Sequence, residues 1–223
     1  ENISVKFGGG NRYGLIGANG SGKSTLTQLI PRFYDVAAGR ITVNGLDVQA
    51  WDLAALRHQI AFVPQTAVLF HGTIRENLQW GKADATDEGC FQALETAQCR
   101  EFVEKLPEGL DTMVMENGKN FSGGQRQRLT IARALIRKPH LLILDDSLSA
   151  LDYQTDLDLR QALARDLDSA MIIISQRVRS IQQAKEILVL DSGRLVGKGT
   201  HEALLLSSSE YQAIVASQEE EHD

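Results

Sequence analysis

The run Gly17-Ala-Asn-Gly-Ser-Gly-Lys-Ser24 carries the most specific chemistry in this chain of 223 residues. Glycines at 17 and 22, then lysine and a hydroxyl residue, make a phosphate-binding loop of the Walker A type. Glycine lets backbone N–H groups turn inward onto anionic oxygens, and a helix starting directly behind the loop adds positive potential. Asn19, Gly20, Ser21, Gly22, Lys23, Ser24 and Thr25 are therefore the candidate nucleotide-binding residues. Lys23 would reach the β- and γ-phosphates of a bound nucleotide, and the Ser24 hydroxyl would ligate Mg²⁺.

Leu141-Leu-Ile-Leu-Asp145 is an apolar strand ending in a carboxylate, the Walker B pattern. Such an aspartate holds the Mg²⁺ shell beside the loop, here through water. Asp146 follows it, at the place of a water-polarising carboxylate. A third run, Ser122-Gly-Gly-Gln125, is a glycine turn with serine placed to cap a helix.

These residues need elements to hold them. Arg12–Ile16 reads as a strand feeding the loop, and a helix is expected from Lys23 to Ile30, stopped near Pro31. Arg40–Val43, closed by Asn44-Gly45, and Ile60–Val63, ended by Pro64, read as strands. Thr66 to Lys138 reads mostly helical, broken at Pro107-Glu108-Gly109, with a helix from Ser122 to about Arg137. Leu141–Leu144 has the continuous apolar character of a strand covered on both faces. Leu159, Leu163 and Leu167 mark a helix, Met171–Ser175 and Ile187–Leu190 two more strands, and Asp191-Ser-Gly193 a turn. The acidic tail Glu219–Asp223 reads as frayed. The pattern is an α/β core interrupted by a helical insert: one domain over 1–223, with 1–65 and 138–223 as core and 66–137 as helical subdomain.

Composition narrows the function classes. With 23 Lys+Arg against 29 Asp+Glu, the net charge of −6 argues against nucleic acid as a partner, because duplex binding needs clustered cations. No stretch approaches the ~20 apolar residues of a membrane span. Cys90 and Cys99 supply neither a disulfide framework nor a four-ligand zinc site, and read as small core or surface residues. No secretory signal is visible, and the start at Glu1 instead of Met reads as a truncated or recombined product.

Taken together, the loop, the Walker B strand and Ser122-Gly-Gly-Gln125 with Arg126-Gln-Arg128 resemble the ATP-binding-cassette (ABC) ATPases over nearly the whole chain. Phe121 stands where the signature motif usually has Leu. Gln65, in Phe62-Val-Pro-Gln65, resembles the Q-loop glutamine, and Ser149-Ala-Leu-Asp152 the D-loop. Leu69-Phe-His-Gly-Thr-Ile-Arg-Glu-Asn-Leu78, Glu116-Asn-Gly118 and Gly199-Thr-His-Glu202 resemble segments of exporter-type transporters. The resemblance implies a P-loop NTPase (RecA-like) core, here lacking the usual first strand, and ATP hydrolysis with Mg²⁺ bound by Ser24, Gln65 and Asp145. It implies Lys23, Gln65, Asp146 and Gln176 as the catalytic set. It further implies a head-to-tail pairing with a second nucleotide-binding domain. Ser122, Gly123, Gly124, Gln125 and Asp152 would then serve the partner's ATP, and the signature helix would offer its N-terminal dipole. The membrane domains of an exporter would be met through the Q-loop and the Glu116 region, at the cytoplasmic face of the cell membrane.

Departures from the family fall on the hydrolytic centre. Asp146 stands where Glu is usual, and Gln176, in Ile174-Ser-Gln176-Arg177, where the switch histidine is usual. One methylene less withdraws the carboxylate by roughly 1 Å, and a misplacement of that size can cost ~100-fold in rate. Glutamine hydrogen-bonds but does not become a cation near neutral pH. Together the two changes resemble the degenerate half of a heterodimeric multidrug exporter, whose partner is a non-identical sister chain. Only residues 1–16 precede Gly17, so the aromatic A-loop residue is missing, and Tyr13 reads as core. Residues 1–25, with Ala18-Asn19, resemble instead the soluble tandem-cassette ATPases that act on ribosomes, which suggests a chimera. The alternative function is a soluble or engineered ABC domain that binds ATP without a membrane partner.

Overall fold

The structure is a computed structural model describing residues 3–219. In chain order the elements are β1 (Arg12–Ile16), α1 (Lys23–Gln28), β2 (Thr42–Val43), β3 (Leu46–Asp47), α2 (Leu53–Gln59) and β4 (Ile60–Val63). There follow β5 (Gly72–Thr73), α3 (Ile74–Gln79), α4 (Asp87–Thr96), α5 (Arg100–Glu104), β6 (Met113–Val114), α6 (Gly123–Leu135) and β7 (Leu141–Asp145). The chain continues with α7 (Tyr153–Asp166), β8 (Ala170–Ile174), α8 (Val178–Ile181), β9 (Glu186–Asp191), β10 (Arg194–Gly199), α9 (His201–Ser207) and α10 (Ser209–Glu219). Two compact units result. The first holds the described residues up to Ala61, His140–Asp146 and those from Ser169 on; the second holds Phe62–Pro139 and Ser147–Asp168. Residues 147–168 thus group with the helical unit, whereas the sequence places them in the core.

The first unit is organised by a six-stranded sheet of order β10-β9-β1-β8-β7-β4. β1 runs parallel to both β8 and β9, and β7 runs parallel to β8; the added strand β10 runs antiparallel to β9. Leu142, Ile143 and Leu144 are fully buried, as are Ile187 and Leu188, which explains the unbroken apolar runs of these strands. Register matters for the site. Leu15 of β1 and Asp145 of β7 both pair with Ile174 of β8, so the three strands end level. Their carboxyl ends release the segments starting at Gly17, Asp146 and Ser175 side by side, the usual place for a ligand in an open α/β sheet. Asn44 and Gly45, both at positive φ, close the β2–β3 hairpin as the Asn-Gly pair predicts.

Several expected elements differ in extent. α1 ends at Gln28, with Leu29 as its C-cap, and α6 ends at Leu135. The insert contains a short ladder, β5 with β6, as well as helices. β10, α9 and α10 extend the first unit beyond the last strand read from sequence. Of the tail expected to fray, residues 220–223 lie outside the described residues.

In the second unit, Ser122 caps α6 reciprocally: its hydroxyl accepts from the Gln125 N–H at 3.2 Å, and Gln125 Oε1 accepts from the Ser122 N–H at 2.9 Å. Leu129, Ile131, Ala132 and Leu135 bury one side of this helix. Phe121 is buried and meets the Phe102 ring edge-on with centroids 6.0 Å apart, so the unusual signature residue fills core. Cys90 and Cys99 are both buried and free.

Candidate nucleotide site

The phosphate loop is shaped by two glycines. At Gly17, with φ of 155°, a Cβ would lie 2.0 Å from the carbonyl oxygen of Leu190 in β9; no side chain fits. At Gly22, with φ of 96°, the left-handed backbone turns the chain into α1, where Gly22 is the N-cap. The turn after β9 braces the loop, because the Gly193 N–H donates to the Ser21 carbonyl at 3.0 Å. That brace was not legible in sequence, since nothing in a generic Asp-Ser-Gly turn announces its partner.

Lys23 is buried, and its ammonium donates to the Gly17 and Ala18 carbonyls at 2.8 Å each and to Ser21 Oγ at 3.3 Å. Burial lowers its pKa, while the nearby Asp146 and Asp145 carboxylates pull the other way. Asn19, Gly20 and Thr25 are exposed around the same loop. Ser24 Oγ donates to Asp145 Oδ1 at 2.9 Å, so two of the three candidate Mg²⁺ residues are in contact.

Asp145 is raised above the usual carboxylate range by burial, against the Ser24 hydrogen bond and the Lys23 charge. Asp146 is raised by burial and by the neighbouring Asp145 charge, and is held back by a hydrogen bond from the Gln176 backbone N–H. Its backbone is left-handed, with φ of 47°, and its N–H donates to the Ile174 carbonyl at 2.9 Å. Such a conformation is tolerated by aspartate and is frequent where a site needs a side chain held in one direction. Gln176 is exposed at the end of β8, next to Ser175, whose hydroxyl accepts from the Arg177 N–H at 3.0 Å. The first unit therefore brings together the loop, Asp145, Asp146 and the Gln176 backbone.

The donor set fits a magnesium ion arriving with phosphates. A serine hydroxyl touching one carboxylate supplies hard oxygen ligands, and Mg²⁺ is usually held by one or two carboxylates plus phosphate oxygens and water. Among the described residues no group of three or more His, Cys, Asp or Glu side chains could hold an ion alone.

The other candidates belong to the second unit. Gln65 is exposed just past β4. Ser122 and Gly123 are exposed at the start of α6, and a Cβ on Gly124 would sit in ordinary contact with Leu151, 3.6 Å from its Cδ2. The signature turn thus neighbours the loop of Asp152. Asp152 caps α7, accepting from the Thr155 N–H at 3.0 Å, and this bond lowers its pKa. Glu116 is exposed in the turn Glu116–Gly118 that follows β6. Tyr13 is buried, its hydroxyl accepting from the Gly8 N–H at 2.8 Å.

Comparison with known proteins agrees with this geometry. The family model for ABC transporters matches residues 1–149. The uncharacterized ABC transporter ATP-binding protein YfiB of Bacillus subtilis is 46% identical over 98% of this chain and 38% of its own length. An ATP-dependent lipid A-core flippase of Albidiferax ferrireducens is 43% identical over 95% of this chain and 37% of its own. Among solved structures, a bacterial Atm1-family ABC exporter with ATP bound superposes with a TM-score of 0.92 at 37% identity, over 97% of this chain and 38% of that one. The chain spans about two fifths of the length of these relatives. Among the described residues no helix is long and apolar enough to cross a membrane. The chain belongs to the ABC transporter family, as a nucleotide-binding domain whose relatives include exporters.

Proposed function

We propose that this domain binds MgATP at the 17–25 loop and hydrolyses it slowly, as the degenerate half of an exporter. The observation that carries the reading is the contact of Ser24 with Asp145 directly behind the loop, with Asp146 beside them. In this account the loop N–H groups and Lys23 hold the phosphates, and Ser24, Gln65 and Asp145 hold Mg²⁺, the last through water. The metal supplies charge neutralisation of the phosphates. Asp146 would orient and deprotonate the attacking water. Gln176 donates a hydrogen bond to the γ-phosphate without the charge a histidine could bring. The shorter Asp146 carboxylate and the neutral Gln176 both slow the step.

A head-to-tail partner, a non-identical sister domain, would complete each site. Ser122 to Gln125 and Asp152 would then meet the partner's ATP, and the exposure of Ser122, Gly123 and Asp152 supports that role. Coupling to membrane segments would run through Gln65 and the Glu116 region. Phe70 and Trp80, ring centroids 5.2 Å apart, and Met113 and Met115 are exposed in this unit, and exposed large apolar side chains favour docking against another protein surface. Titration of the chain with ATP, with and without Mg²⁺, tests the first half of the reading. Micromolar binding that Mg²⁺ strengthens and that is lost in Lys23→Ala is expected; binding that Mg²⁺ leaves unchanged, or absent binding, removes it.

A further inference from the structure

One side chain outside the family motifs reaches the switch segment. Gln218 lies in the last turn of α10, 7 positions after Tyr211 and so on the same helix face. Tyr211 is fully buried and its hydroxyl bonds His201 Nδ1 at 2.8 Å, which ties α10 to α9. From that anchored face the Gln218 amide makes two bonds. Its Oε1 accepts from the Val178 N–H at 2.9 Å, and its Nε2 donates to the Gln176 carbonyl. Val178 is the first residue of α8, whose N-cap, Arg177, gives no side-chain cap. A side chain 40 residues further on therefore does the work of the missing cap.

The two bonds straddle the peptide units on both sides of Arg177, as a neighbouring strand would. Between them they fix the backbone that presents Gln176. The same Gln176 residue gives its N–H to the Asp146 carboxylate. A continuous chain of hydrogen bonds thus runs from α10 through Gln218 and Gln176 to the residue beside the Walker B aspartate.

We propose that Gln218 is a positioning residue for the switch segment 176–178, making the C-terminal helix α10 a determinant of the geometry at the phosphate site. It touches neither nucleotide nor metal; it acts through the Gln176 and Val178 backbone. The consequence for turnover rests on the nucleotide reading above, whereas the clamp itself does not.

Two variants of the full chain test it. Gln218→Met keeps the length and packing but loses both bonds; Gln218→Glu keeps an acceptor for Val178 and loses the donor to Gln176. Amide hydrogen exchange at 176–178 should speed up about fivefold in Gln218→Met, the equivalent of one hydrogen bond, while Val178 stays protected in Gln218→Glu. For MgATP hydrolysis by the chain assembled with its partner domain, kcat should fall by roughly fivefold in Gln218→Met with KM within about twofold, and Gln218→Glu should be intermediate. Thermal unfolding of the variants checks that α10 remains docked. Unchanged exchange at Val178 in a folded Gln218→Met chain overturns the clamp. Faster exchange with unchanged kcat overturns the positioning role. A wild-type chain that neither binds nor hydrolyses MgATP overturns the nucleotide reading instead, and the exchange result then decides the clamp alone.

Discussion

The Ser24 hydroxyl donates to Asp145 Oδ1 at 2.9 Å, joining the phosphate loop to a strand 121 positions later. The contact exists because β1 and β7 both register against Ile174 of β8 and end level. Removing the hydroxyl should leave phosphate contacts intact and weaken the metal. Ser24→Ala is expected to lose about tenfold in MgATP affinity, the worth of one hydrogen bond to a charged group, and little affinity for ATP without Mg²⁺. Calorimetric titration in the two conditions separates these effects; equal losses in both would show that Ser24 binds phosphate and not metal.

Two glycine substitutions should behave oppositely. Gly17→Ala drives a methyl group onto the Leu190 carbonyl, which cannot move without breaking β9 from β1, so a loss of about 3 kcal/mol or more is expected in urea unfolding. Nothing lies within 4 Å of a Cβ on Gly123, at the first turn of α6. Gly123→Ala should therefore change stability by no more than ~0.5 kcal/mol. If the Ser122–Gln125 turn serves a partner's ATP, the same change should still depress hydrolysis by the assembled pair.

A buried ion pair holds α7. Asp156 and Arg160, one helical turn apart and both buried, meet through two bonds of 3.1 Å. Asp156→Ala removes two bonds from the buried Arg160 guanidinium and should cost about 2 kcal/mol, measured by denaturant unfolding. A change below ~1 kcal/mol would show that Arg160 is compensated elsewhere.

The cysteines make a pH prediction. Burial pushes the Cys99 thiol up to about 12 from an ordinary 9.0. In the folded chain it stays protonated while the unfolded chain ionises, so the native state binds the extra proton between those two values. Stability from this group is complete below pH 9.0 and declines as pH rises toward 12. Cys90 is also buried, and burial raises its thiol too. Neither should react with iodoacetamide at pH 8 until the chain unfolds. Rapid labelling of the folded chain, followed by mass spectrometry, would refute this.

Legibility in the sequence followed the physics of each element. Residues 17–24 were legible because a loop that approaches another backbone to van der Waals contact accepts only glycine at its tight points. β7 and β8 were legible because burial on both faces demands unbroken apolar runs. β10 was not: Arg194–Gly199 contains two glycines, lies half-exposed at the sheet edge and shows no continuous apolar signal. β5 and β6, at two residues each, are too short for any periodicity. Within the candidate site, side-chain identities at 23, 24, 145 and 146 were readable. The Gly193 brace and the Gln218 clamp were not, because their partners are backbone atoms, which carry no residue-type signature.

The central claim is that Asp146 and Gln176 leave this site able to bind MgATP but slow to cleave it. Steady-state ATP hydrolysis by the assembled exporter carrying Asp146→Glu together with Gln176→His tests it most directly. A rise of roughly tenfold to a hundredfold, the scale of a 1 Å correction to a reacting group, is the predicted result. Unchanged turnover, with MgATP binding intact, would contradict it.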